Sequence, residues 1–114
     1  MSPAAPLIAL GDSITAAGPW SEAFPGRSVL NAGISGNTTV DLLGRLDVLP
    51  GLGGAIVVLM AGINDLLQGE APAPVADRIL RIRRELLARG AARVAPFHGG
   101  GWPASRARWL QPLV

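Results

Sequence analysis

Apolar residues gather in short unbroken runs, each closed by a polar cluster that carries glycine. Leu7-Ile-Ala-Leu10 stops at Gly11-Asp12-Ser13. Ser28-Val-Leu-Asn31 is ended by Ala32-Gly33, and Ala55-Ile-Val-Val-Leu-Met60 ends at Ala61-Gly62-Ile63-Asn64-Asp65. The first, a continuous run, predicts a strand buried on both faces, the second is a short candidate, and the third, with three consecutive β-branched residues, is the best marked. Arg93-Val-Ala95 begins a fourth, weaker strand. Two stretches have helical period instead. In residues 38–46, Leu42, Leu43 and Leu46 share a face, and Thr38 or Thr39 can cap the start. From about Pro74 to Arg89, Val75, Ile79, Ile82 and Leu86 repeat at helical spacing, with Leu87 alongside, Pro74 suited to the first turn and Gly90 to the end. Pro19, Pro25 and Gly26 exclude a long helix between the first two strands.

Strand, strand, helix, strand, helix, strand is the alternation of an α/β protein, a parallel sheet covered by helices. Such sheets bind ligands beyond the carboxyl ends of their strands. The polar clusters Asp12-Ser13, Asn31 through Thr39 and Asn64-Asp65 all belong at that end, which makes it the expected site. The pattern fails after Ala95. Residues 97–114 hold three consecutive glycines, Trp102, Trp109, two prolines and two arginines, without helical or strand period.

The 114 residues are enough for one domain, and 49% apolar against 16% charged residues supports a buried core. With no cysteine, disulfides and thiolate metal sites are excluded, and no cofactor or metal is expected. Neither a signal peptide nor a membrane span is predicted, so a cytoplasmic location follows by default. Net charge is only +2, and all ten basic residues are arginine. Arg78, Arg81, Arg83 and Arg84 crowd one helical stretch but have no interleaved aromatics for base stacking, so they are read as a solvated face and no nucleic-acid partner is expected.

Acyl transfer to serine needs a placed hydroxyl, a base, and donors for the oxyanion. Ser13 follows a buried strand, where Gly11 permits a tight exit. Gly36 lets a backbone N–H approach a ligand, and Asn64 offers a neutral side-chain amide. Singly, Ser13 also suits a helix N-cap, Gly36 a turn, and Asn64 or Asp65 a cap or Asx-turn. Together, Gly11-Asp-Ser-Ile-Thr15, Asn31-Ala-Gly-Ile-Ser-Gly-Asn-Thr-Thr39 and Gly62-Ile-Asn-Asp65 resemble, in order, the first three blocks of the SGNH (GDSL-type) hydrolases. The resemblance implies a three-layer α/β/α sandwich, flavodoxin-like in strand order, and a small-molecule ester as substrate. By position it makes Ser13 the nucleophile and the first oxyanion donor, through its own N–H. Gly36 becomes the second donor, through its backbone, and Asn64 the third, through its side chain.

The resemblance runs from about residue 7 to residue 95, which divides the chain into a partial hydrolase domain, 1–95, and an atypical tail, 96–114. Family members carry Asp and His three residues apart after a fifth strand. Here no Asp follows Asp77, the single histidine is His98, and Ala95 stands three residues before it. Impaired hydrolysis is therefore expected, and His98 is read as a tail histidine rather than a substitute base. The tail itself is read as the product of a frameshift or premature end, the rival being a genuine short form whose Trp102 and Trp109 pack as a lid. Two other functions compete: an inactive remnant that binds acyl ligands, and a flavodoxin-like module for a phosphate or nucleotide, the latter without a P-loop or G-x-G-x-x-G sequence to support it.

Overall fold

In the computed structural model, residues 4–96 are described. Strands β1 (Leu7–Gly11), β2 (Val29–Gly33), β3 (Ile56–Leu59) and β4 (Arg93–Pro96) form one parallel sheet in the order β2-β1-β3-β4. That is the flavodoxin-like order as far as its fourth strand. Leu7 pairs with Val29 on one side and Ile56 on the other, and Ile56 pairs onward with Arg93.

Strand residues alternate between two cores, as a two-residue period requires. Ile8, Leu10, Val57 and Leu59 face helices α3 (Thr39–Gly44) and α5 (Pro72–Ala88), packing with Leu42, Ile82 and Leu86, and with Leu46 of a 3₁₀ turn over Leu46–Val48. Leu7, Ala9 and Val58 face the opposite side, against Trp20 of α2 (Trp20–Ala23) and Phe24. The expected three layers are therefore present, the second helical layer being thin. Two further short helices, α1 (Ser13–Ala16) and α4 (Ile63–Leu67), were not expected from periodicity. Four or five residues are too few to show a helical repeat.

Other boundaries move by a residue or two. The second strand runs on through Ala32 to Gly33 because its pairing with β1 continues to Gly11. Helix α5 starts at Pro72 rather than near Pro74, since proline needs no N–H partner in a first turn. Among the described residues no helix is long and apolar enough to cross a membrane. His98, Trp102, Trp109 and the rest of the tail lie outside the described residues.

Among the described residues β4 pairs on one flank only, with β3. An unpaired strand edge is a template for association. The 114-residue chain is accordingly expected to dimerise or aggregate, and a stable monodisperse monomer in sedimentation velocity contradicts this.

Candidate active site

The register aligns the carboxyl ends of three strands. Gly11 stands opposite Gly33, and Leu10 opposite Leu59. The segments leaving β1, β2 and β3 therefore emerge at the same end of the sheet, and they carry Ser13, Gly36 and Asn64 respectively.

Ser13 opens α1 and is exposed. It is not the N-cap, as it would be on the alternative reading of this residue. Asp12 caps instead, its Oδ1 accepting from the Ile14 N–H at 3.0 Å. The helix is held from both sides. Trp20 Nε1 donates to the Thr15 carbonyl at 2.8 Å, and Asn31 Nδ2 donates to the Ala16 carbonyl at 3.0 Å. Gly11 serves close packing rather than an unusual turn. A Cβ there would run into Thr15 Oγ1 and lie 2.5 Å from the Met60 carbonyl oxygen. Any larger residue would push α1, and Ser13 with it, away from the sheet.

Gly36 sits in a tight turn, where the Asn37 N–H donates to the Ile34 carbonyl at 3.2 Å. Its φ of +82° lies in the left-handed region, which a residue with a Cβ adopts only at a cost. The turn is tied to β1 by the Ile34 N–H, which donates to the Gly11 carbonyl at 3.0 Å. Gly36 itself is exposed. Neither its N–H nor that of Ser13 has a hydrogen-bond acceptor among the described residues.

Asn64 lies in the first turn of α4, half-buried, and its Nδ2 donates to the Asn37 carbonyl at 3.0 Å. One of its two amide hydrogens is so held, and the other remains. The loop after β2 and the helix after β3 are thus joined directly. Arg45 adds a third tie: its Nε donates to Asn37 Oδ1 at 2.7 Å and its Nη2 to the Gly11 carbonyl at 3.1 Å. Burial lowers the Arg45 pKa, and the nearby Asp41 carboxylate opposes that shift.

Asp65 is neither a cap nor an Asx-turn residue. Its side chain is fully buried and accepts from the Thr39 N–H at 3.0 Å and from Thr39 Oγ1 at 2.6 Å. Arg78 Nη2 stands 3.3 Å away and also pairs with Glu70. Burial alone would raise the Asp65 pKa, but the bonds from Thr39 and Arg78 outweigh it and hold the group below the usual carboxylate range. Arg78 is thereby drawn out of the solvated arginine face to which the sequence assigned it. Arg81, Arg83 and Arg84 stay exposed, as expected. Sequence reading missed Arg45, Asn37 and the Asp65–Arg78 link because each contact joins separate elements that only folding brings together. Thr38 could be read: it caps α3 in a reciprocal box with Asp41.

Among the described residues no cluster of acids and histidine could hold a metal ion. Close in the chain to the three site positions, Ile14, Ile34, Ile63 and Leu66 are exposed.

Among curated proteins none is similar enough to match the chain. Solved structures do match. A member of the lipolytic protein G-D-S-L family from Veillonella parvula DSM 2008 is 21% identical with a TM-score of 0.66, over 80% of this chain and 57% of that one. AlinE4, an SGNH-hydrolase family esterase, is 30% identical with a TM-score of 0.61, over 82% of this chain and 59% of that one. An acetyl xylan esterase, AlAXEase, is 24% identical with a TM-score of 0.63, over 77% of this chain and 56% of that one. The chain thus spans less than two thirds of these structures. The GDSL-like lipase/acylhydrolase family model matches residues 9–114, reaching past Ala95, where the resemblance read from the motifs ended. With the parallel sheet, and three motif segments at its carboxyl end, this match establishes that the chain belongs to the GDSL-like lipase/acylhydrolase family.

Proposed function

We propose that this chain carries the acyl-transfer site of a serine ester hydrolase, with Ser13 as nucleophile. Ser13 Oγ bonds to the ester carbonyl carbon, its proton passes to a base, and the carbonyl oxygen becomes an oxyanion. The Ser13 N–H, the Gly36 N–H and the remaining Asn64 amide hydrogen receive that charge. Collapse of the intermediate expels the alcohol, and water then releases the acid. One observation carries the reading. An exposed serine, two backbone N–H groups without acceptors and a side-chain amide all emerge at one end of the sheet. The likeness to the esterase AlinE4 at 30% identity supports the same reaction class.

Residues 4–96 contain no histidine to serve as that base. An inactive acyl-binding chain is therefore the second reading, since Ser13 Oγ has no hydrogen bond to a base among the described residues. A fluorophosphonate probe with mass-spectrometric mapping separates the two. The proposal expects a slow adduct on Ser13 that Ser13→Ala abolishes. An unlabelled chain, or labelling elsewhere only, sinks it.

A further inference from the structure

We propose that Arg45 is a positioning residue for the oxyanion donors, clamping the end of β1 to the turn that carries Gly36; this rests on the hydrolase reading above.

Gly36 lies in an exposed turn, and such turns move unless something holds them. Four bonds hold this one. The Ile34 N–H binds the Gly11 carbonyl, and the Asn37 N–H closes the turn on Ile34. Asn64 Nδ2 binds the Asn37 carbonyl, and Arg45 Nε binds Asn37 Oδ1. Arg45 is the side chain among them that also reaches β1, where it shares the Gly11 carbonyl with the Ile34 N–H, two residues before Ser13. Its planar fork therefore relates the nucleophile strand to the Gly36 turn in one rigid unit. Through Asn37 the same unit sets the carbonyl that orients the Asn64 amide. The Gly36 turn and the Asn37 residue that orients the Asn64 amide both meet this one side chain, although it offers no oxyanion donor itself. Arg45 leaves the end of α3, whose start is fixed by the Thr38–Asp41 box and by Thr39 on Asp65, so the guanidinium is anchored from behind.

The physical consequence is a sensitivity to geometry rather than to charge. A lysine at position 45 supplies a cation but cannot bridge two acceptors with a fixed fork. Oxyanion donors act through placement, and a shift of about 1 Å can cost about 100-fold in rate.

The test uses the 114-residue chain and two readouts. In ¹⁵N NMR, Arg45→Met is expected to shift or broaden the Gly36 N–H and the Asn64 side-chain amide, while the core amides of Leu10 and Val58 stay in place. Fluorophosphonate labelling of Ser13 is expected to slow about 10- to 100-fold. Arg45→Lys should fall between wild type and Arg45→Met in both readouts. Unchanged Gly36 and Asn64 resonances in folded Arg45→Met overturn the clamp, as does labelling at the wild-type rate. If Arg45→Met does not fold, Asn37→Ala, which removes only the side-chain acceptor, must produce the same displacement or the clamp is wrong. If wild type labels no faster than Ser13→Ala, the hydrolase reading fails, and the NMR arm still decides the clamp.

Discussion

Given a simple activated ester, the 114 residues by themselves are expected to turn over about a million-fold more slowly than a serine hydrolase whose nucleophile has its histidine. The reason is protonation. A serine hydroxyl stays protonated at neutral pH, and attack requires a group that removes the proton as the bond forms. No such group touches Ser13 in residues 4–96. The neighbouring Asp12 is buried, uses Oδ1 to cap α1, and takes no hydrogen bond on Oδ2. The oxyanion donors alone should still leave about a thousand-fold acceleration over water. Ser13→Ala should lower this residue of activity little further, because members of such a site act as a unit and their losses do not add. Initial rates on a nitrophenyl ester check this. Fast turnover that Ser13→Ala abolishes would mean a base is present. Loss of that turnover in His98→Ala would then identify His98, which lies outside the described residues.

Asp65→Ala is the substitution expected to cost most stability, about 3 kcal/mol or more. It leaves the Thr39 N–H and hydroxyl without acceptors at a fully buried position, and it takes from Arg78 one of its two carboxylates. In a domain of this size that is a fall of roughly 12 °C or more in Tm. The same carboxylate predicts a pH dependence. Its pKa is lower folded than unfolded, so its contribution is fully present above the unfolded carboxylate value of about 4 and is lost as pH falls through the lower folded value. Asp65→Asn removes that titration. The stability gap between wild type and Asp65→Asn should therefore narrow on acidification below about pH 4. A gap that stays constant across that range contradicts the buried charge.

Local pattern was enough for much of this protein. Unbroken apolar runs located β1 and β3 because a parallel strand buried on both faces has no polar alternation to hide it, whereas β2 and β4, only partly buried, were marked by shorter and weaker runs. The long helix α5 was plain because its repeat spans several turns, and the glycine-bearing clusters marked the strand ends because a chain leaving a buried sheet must turn there. Placing Ser13, Gly36 and Asn64 at one end needed only the further rule that such sheets bind beyond their carboxyl ends. The short helices α1, α2 and α4 were not legible, since each is under two turns and is held by tertiary bonds such as Trp20 to Thr15 and Asn64 to Asn37. Nor could sequence tell a solvated arginine from a buried tie: Arg78 and Arg81 sit three residues apart on one helix, yet only Arg78 meets Asp65. Which residues stand at the site is a local matter of strand ends and turns. How those segments are tied to one another was decided by the tertiary structure, through Arg45, Asn37 and Asp65, whose hydrogen bonds join parts of the chain that only folding brings within reach.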